Sequence, residues 1–212
     1  MNSLRPVGVL ALQGDFPTHR VALERSGLPV REVRDAAGLE GLAGLVLPGG
    51  ESSTMLKLLR RESLLEPLTA ALHDGLADEL PILATCAGVV LLARTVTQPE
   101  QASLDVLPVD VERNAYGRQV SSGVFALKGD NGFPDCDGTF IRAPRMANVS
   151  VGNEPKVDVL AWRGDDPVLL QYGSCLAATF HPELDVDHPA YLRFARAIRE
   201  HAQHPPIPAT SP

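Results

Sequence analysis

The chain has 212 residues, 44% of them apolar and 21% charged, which is enough apolar material for one ample core. Its net charge of −7 argues against a nucleic-acid binder, and no apolar run is long enough to span a bilayer. Three cysteines, Cys86, Cys136 and Cys175, are too few and too odd for a disulfide framework; no C-x-x-C pair suggests zinc, so no metal or cofactor is expected.

Met1 to Pro6 lacks the apolar segment of a signal peptide, so a cytoplasmic location is expected. Val7 to Leu12 is a continuous apolar run that reads as a strand buried on both faces. Pro17 to Ser26 reads as a helix, with proline near its first turn and Gly27 past its end. Val30–Val33 and Gly44–Leu47 read as strands, the second broken by Pro48-Gly49-Gly50. Ser52 to Arg61 has helical spacing, with Met55, Leu58 and Leu59 on one side, and a further helix is expected over Leu64–His73. Strand Pro81–Thr85 and helix Ala87–Ala93 complete a β-α-β-α series, the pattern of a parallel sheet covered by helices.

The second half differs. Val106–Glu112, Gln119–Leu127, Val157–Trp162, Val168–Tyr172 and Cys175–Thr179 read as strands, with turns at Gly164-Asp165-Asp166-Pro167 and Gly173-Ser174. The expected fold is therefore a single α/β domain over residues 1–200. Its mostly parallel central sheet is flanked by helices, with antiparallel strands added in the second half. Asp187–Arg199 is a closing helix, and residues 201–212, with four prolines, are expected to form a flexible tail.

Cys86 follows a short apolar strand and precedes small residues that open an apolar helix, which is the layout of a nucleophile elbow. Backbone N–H groups at such a corner favour the thiolate. Far downstream, Phe180-His181-Pro182-Glu183 supplies an imidazole and a carboxylate, and in an extended segment residues two apart point the same way. A thiol nucleophile, a base and an orienting acid are the parts of a covalent acyl-transfer site. Each also has a purely structural reading: Cys86 as a small buried residue, His181 in a surface turn, Pro48-Gly49-Gly50-Glu51-Ser52 as a tight turn with Ser52 capping the helix. The other histidines, His19, His73, His188, His201 and His204, have no comparable context and are expected at the surface.

Six blocks together carry a family resemblance: Gly8-Val9-Leu10-Ala11-Leu12-Gln13-Gly14, Leu47-Pro48-Gly49-Gly50-Glu51-Ser52-Ser53-Thr54-Met55, Thr85-Cys86-Ala87-Gly88, Val111 to Gln119, Phe140-Ile141-Arg142-Ala143-Pro144, and Phe180-His181-Pro182-Glu183-Leu184. From Val7 to about Ile198 the chain resembles the class I glutamine amidotransferases. Within them, the Gly-Gly-Glu-Ser and Glu-Arg-Asn…Gly-Arg-Gln blocks resemble the glutaminase subunits of pyridoxal 5′-phosphate synthases.

The resemblance implies hydrolysis of L-glutamine to L-glutamate and ammonia through a thioester on Cys86, with His181 as base and Glu183 orienting it. It implies an oxyanion hole from the N–H groups of Gly50 and Ala87. It implies a substrate pocket lined by Gly50, Glu51, Ser52, Arg113, Ile141 and Arg142, with Gln13 a candidate to hold the glycine loop. Arg118 is equally a structural or a partner-facing residue. A chain of this length leaves no room for a second catalytic domain, and no Gly-x-x-x-x-Gly-Lys loop is present. The implied partner is a barrel-shaped synthase subunit, joined in a hetero-oligomer, that assembles pyridoxal 5′-phosphate, a form of vitamin B6. The resemblance also implies weak activity until docking turns the Gly49-Gly50 peptide. The alternatives are a glutaminase subunit of another pathway and a catalytically silent binding protein on the same scaffold. Two departures stand out. Ala84 occupies a place where such elbows commonly carry glycine, and Ser121-Ser122-Gly123 lacks an aromatic after the serine.

Overall fold

The computed structural model describes residues 4–113, 115, 122–149 and 156–203. The first half runs β1 (Val7–Leu10), α1 (Phe16–Arg25), β2 (Val30–Val33), β3 (Gly44–Leu47), α2 (Ser52–Arg61), α3 (Leu65–Ala77), β4 (Ile82–Thr85), α4 (Ala87–Leu92) and β5 (Ala93–Thr97). The second half runs β6 (Leu107–Glu112), β7 (Gly123–Gly129), β8 (Cys136–Phe140), β9 (Arg145–Ala147), β10 (Asp158–Arg163), β11 (Asp166–Tyr172), β12 (Cys175–Ala178) and α5 (Pro189–Gln203).

Nine strands form one sheet in the order β2-β1-β3-β4-β12-β11-β10-β7-β8. The half from β2 to β12 is parallel, and each pairing from β12 to β8 is antiparallel. This is the expected α/β architecture, with the antiparallel strands drawn from the second half of the chain.

The four-residue strands β1, β3, β4 and β12 are buried at every position, as strands covered on both faces must be. Their side chains alternate between two cores. Leu45, Leu47, Ile82, Ala84 and Ala177 join Met55, Leu59, Leu68 and Leu72 of α2 and α3. Val7, Val9, Val46, Leu83 and Leu176 join Ala22, Leu23, Tyr191, Phe194 and Ile198 of α1 and α5. Each fully buried leucine or valine contributes about 2 kcal/mol. Among the described residues, no helix is long and apolar enough to cross a membrane.

Several boundaries differ from the sequence reading. Three strands, β5, β8 and β9, were not expected; β6 pairs with β5 on one side and β9 on the other in a separate small sheet. Cys136-Asp137-Gly138-Thr139-Phe140 has little strand character alone and becomes β8 through its ladder with β7. The expected strand from Gln119 begins at Gly123, its earlier part lying outside the described residues together with Arg118. The closing helix continues past Arg199 to Gln203, and residues 204–212 lie outside the described part.

The C-terminal ends of β1, β3, β4 and β12 stand side by side. In open α/β sheets that edge is where ligands bind. The far edge of the sheet curls back to the same place, since His181 N donates to Thr139 O of β8 at 2.8 Å.

Candidate active site

β4 delivers Cys86 at φ 45° and ψ −102°, a backbone conformation that L residues rarely adopt. Such strain costs about 1–3 kcal/mol and persists only where the surroundings impose it. Here Cys86 N donates to Ala178 O of β12 at 2.8 Å, and its carbonyl accepts from Val89 N and Val90 N. A Cβ on Gly88 would lie 2.2 Å from Leu47 O, so α4 packs directly on the β3 backbone. Only glycine permits that approach. Ala84 is fully buried and pairs in register with Leu47 and Ala177. The methyl group is absorbed by the core, so the departure from glycine leaves the parallel ladder intact.

His181 follows β12, and Pro182–Leu184 forms a 3-10 turn. That turn, rather than the extended alternation expected from sequence, brings Glu183 Oε1 to 2.7 Å from His181 Nδ1. His181 is 8% exposed and Glu183 1%. Burial opposes the His181 charge, but hydrogen bonds with Cys86 and Glu183 outweigh it and raise its proton affinity to about 10. Burial likewise opposes the Glu183 charge, and the neighbouring His19 and His181 overcome it, so its carboxyl lies below the ordinary carboxylate range. With Nδ1 engaged by Glu183, Nε2 is the nitrogen left to exchange a proton with Cys86 Sγ.

The glycine loop closes over this group. Glu51 N donates to Gln13 Oε1 at 2.9 Å, and Asp15 N donates to Gly49 O at 3.0 Å. Gln13 thus holds the loop as its position after the first strand suggested. Gly50 has φ 155°, and a Cβ there would lie 2.6 Å from Gln13 Oε1 and 2.8 Å from Gly14 Cα. A Cβ on Gly49 would lie 2.5 Å from His181 Cε1 and 3.4 Å from Cys86 Cβ. Gly49 lacks the positive φ that demands glycine, so Gly49→Ala acts by displacing the imidazole. A shift of about 1 Å costs roughly a hundredfold in rate. Turnover at this site is expected to fall by that factor, while the thermal melt still shows a folded protein.

The remaining expected pocket residues lie at the loop, at the thiol and at the turn after β8. Glu51, and not Ser52, caps α2, accepting from Thr54 N at 2.7 Å. Burial works against its charge, but hydrogen bonds from Ser53 and Thr54 hold its carboxyl down at about 2. Arg113 Nη2 meets Glu51 Oε1 at 2.6 Å, an ion pair at the rim of the loop. Ser52 is buried, with Oγ donating to Gln101 Oε1 at 3.0 Å. The Ile141 carbonyl lies 4.0 Å from Cys86 Sγ, while its side chain is 47% exposed. Arg142 has φ 46° and is exposed; its N–H donates to Ser122 Oγ at 3.1 Å, so Ser122 fixes this turn. Ala87 is buried at the start of α4, next to the thiol.

Two histidines expected at the surface are buried. His188 packs on Phe180, with Nε2 2.9 Å from Asp137 O and 3.7 Å from Cys136 Sγ. His19 is fully buried on α1, 3.5 Å from Glu183 Oε1. Its spacing with Ala22 and Leu23 placed it on the apolar face of the helix, a signal that outranks the polarity of a lone histidine. Among the described residues no group of three or more His, Cys, Asp or Glu side chains could hold a metal ion.

A cysteine held in a strained elbow, an imidazole and a buried carboxylate can together carry out acyl transfer. The model of the SNO glutamine amidotransferase family matches residues 9–200. The chain belongs to that family. Relatives of this amidotransferase include the pyridoxal 5′-phosphate synthase subunit PdxT of Solibacter usitatus, 44% identical over 87% of this chain and 94% of that protein. The subunit of the same name from a strain of Thermus thermophilus is 46% identical over 89% of this chain and 97% of that protein. A crystal structure of a glutamine amidotransferase superposes with a TM-score of 0.80 at 43% identity, covering 91% of this chain and 98% of that one. A second glutamine amidotransferase, from Thermotoga maritima, has a TM-score of 0.60 at 16% identity over 96% of this chain and 85% of that one, which speaks for the fold alone.

Proposed function

We propose that this amidotransferase is the glutaminase subunit of a pyridoxal 5′-phosphate synthase, acting in the cytoplasm beside a separate synthase subunit. It hydrolyses L-glutamine to L-glutamate and hands the ammonia to that partner. The observation that carries the reading is the set of Cys86, His181 and Glu183, with the cysteine on a strained elbow and His181 Nδ1 2.7 Å from Glu183 Oε1. Family membership and the names of the PdxT relatives supply the pathway.

This set of groups supports thioester chemistry. His181 Nε2 takes the Sγ proton, and the thiolate attacks the side-chain amide carbon of glutamine. The oxygen of the tetrahedral adduct becomes negative and accepts from the N–H groups of Gly50 and Ala87; one such donor is worth about 3 kcal/mol. His181 returns the proton to the departing nitrogen, the C–N bond breaks, and ammonia leaves. Water, deprotonated by His181, then attacks the thioester and releases glutamate. Glu183 holds the imidazole and balances its charge throughout.

Glutamine is a zwitterion at its α-carbon, so its site needs a cation and an anion side by side. The Arg113–Glu51 ion pair at 2.6 Å supports a reading in which Arg113, with Arg142, meets the carboxylate and Glu51 the ammonium. Gly50, Ser52 and Ile141 complete the walls. A charge-assisted contact contributes about 1.5–3 kcal/mol, so Arg113→Ala is expected to raise the glutamine concentration for half-maximal rate by roughly tenfold to a hundredfold. Steady-state kinetics measure this; an unchanged requirement places Arg113 outside the pocket.

Turning the Gly49-Gly50 peptide on docking has a defined cost, because it releases the Asp15 N–H from Gly49 O. The function is tested by glutamate release from the purified chain, alone and with the synthase subunit of its own organism. Strong stimulation supports both chemistry and pathway. Absence of release in the complex rejects the reading.

A further inference from the structure

The acid of the proposed triad has a second neighbour. Glu183 Oε1 receives His181 Nδ1, but Glu183 Oε2 is buried and has no hydrogen-bond partner among the described residues. The same Oε1 also faces His19, which comes from α1, far away in sequence. Its Nε2 stands 3.1 Å from Thr85 Oγ1 and 3.5 Å from Glu183 Oε1. Its Nδ1 stands 3.3 Å from the Tyr191 hydroxyl, which is also 3.1 Å from His19 O. His19, Thr85 and Tyr191 are all fully buried. Thr85 is the residue immediately before Cys86. One imidazole therefore touches the strand that presents the thiol, the carboxylate behind the base, and helix α5.

The carboxylate decides the tautomer. A lone pair on Nε2 would face an ionised oxygen at 3.5 Å and be repelled, so Nε2 carries the proton. The Tyr191 hydroxyl proton is then shared between His19 O at 3.1 Å and Nδ1 at 3.3 Å. A doubly protonated His19 would place a second cation beside a carboxylate already shared with His181. Burial lowers its proton affinity despite the opposing pull of Glu183 and Asp15, in keeping with a neutral ring.

We propose that His19 is a positioning residue for the glutaminase site. As the neutral Nε2–H tautomer it donates to Thr85 Oγ1 and turns the positive end of that N–H toward Glu183 Oε1 at 3.5 Å, and so keeps Glu183 ionised and aligned behind His181. The inference rests on the glutaminase reading. It assigns His19 no contact with substrate.

The titratable groups that face Glu183 are His181 from its own turn, with Cys86 beyond it; His19, and through it Asp15, from α1; and Tyr191 and His188 at α5 and the segment before it. Removing the His19 N–H leaves His181 as the one imidazole that faces Glu183 Oε1 among the described residues. Glu183 then takes up a proton at higher pH, and a protonated Glu183 no longer supports the imidazolium. The acid limb of the rate profile accordingly moves upward in pH.

The test compares three variants in complex with the synthase subunit. His19→Leu has no donor, His19→Asn places an amide N–H near the former Nδ1, and His19→Gln places one near the former Nε2. His19→Leu and His19→Asn are expected to lower kcat about tenfold and to move its acid limb up by roughly one pH unit, with KM for glutamine nearly unchanged. His19→Gln is expected to restore both. An unmoved acid limb in folded variants, or equal behaviour of His19→Asn and His19→Gln, overturns the proposal. Nitrogen-15 NMR of the wild-type histidines provides a readout independent of variant folding and of turnover. An Nε2–H signature for His19 supports the assignment, and an Nδ1–H or doubly protonated ring overturns it. A failed glutaminase reading shows separately, as absent turnover by the wild-type complex.

Discussion

Cys86→Ala is expected to abolish glutamate release, lowering the rate by at least about 10⁴-fold, while binding to the synthase subunit persists. Removal of a covalent nucleophile removes the intermediate itself, and losses of about 10⁶ occur when such a residue is deleted from a comparable triad. The substitution is small. Cys86 is 7% exposed and only a sulfur is lost, so core and elbow are retained. The thiol is also among the contacts that raise His181 to about 10. In the alanine variant the imidazole titrates at lower pH, which an NMR titration of His181 reads directly. Stability carries the same sign. A histidine raised from 6.5 to about 10 contributes fully below pH 6.5, and that contribution is lost as pH rises through 10. Cys86→Ala is expected to reduce that alkaline loss. Appreciable residual turnover would remove Cys86 from its role.

Glu183→Gln is expected to lower kcat by about 10⁴-fold with little change in shape, in line with the loss when the triad carboxylate becomes an amide. The amide can offer N–H to His181 Nδ1, so the ring is driven into the wrong tautomer, and the negative charge that balances the imidazolium disappears. Glu183 is 1% exposed, so water cannot substitute for that charge. The carboxyl is held low in the folded protein, so its contribution to stability is present above the ordinary carboxylate range and lost as pH falls through the lowered value. The glutamine variant is therefore expected to show a shallower acid denaturation than wild type. A rate within tenfold of wild type would show that Glu183 is not the orienting acid.

Much of this site could be read from the chain because its parts are local. The elbow is one strand, one cysteine and one helix in succession. His181 and Glu183 lie two residues apart, and Gly49-Gly50 stands at the end of an apolar strand. What lay beyond the sequence is what depends on distant partners. Arg113 and Glu51 meet across 62 positions, and nothing in either neighbourhood announces the other. β8 is a strand only because β7 is beside it, and its turn carries the Ile141 carbonyl to the thiol. The spacing of His19 with Ala22 and Leu23 marks an inward-facing residue, but nothing in the chain announces that it meets Glu183. Even the His181–Glu183 contact arises from a 3-10 turn, whereas the motif suggested an extended segment.

The most direct test of the covalent mechanism is rapid quenching of the glutamine-treated complex, followed by mass spectrometry of the peptide containing Cys86. A glutamyl adduct on Cys86 that forms before glutamate appears, and is absent from Cys86→Ala, is the predicted result. Release of glutamate at full rate with no adduct at any time, or an adduct on Cys136 or Cys175 instead, would contradict it.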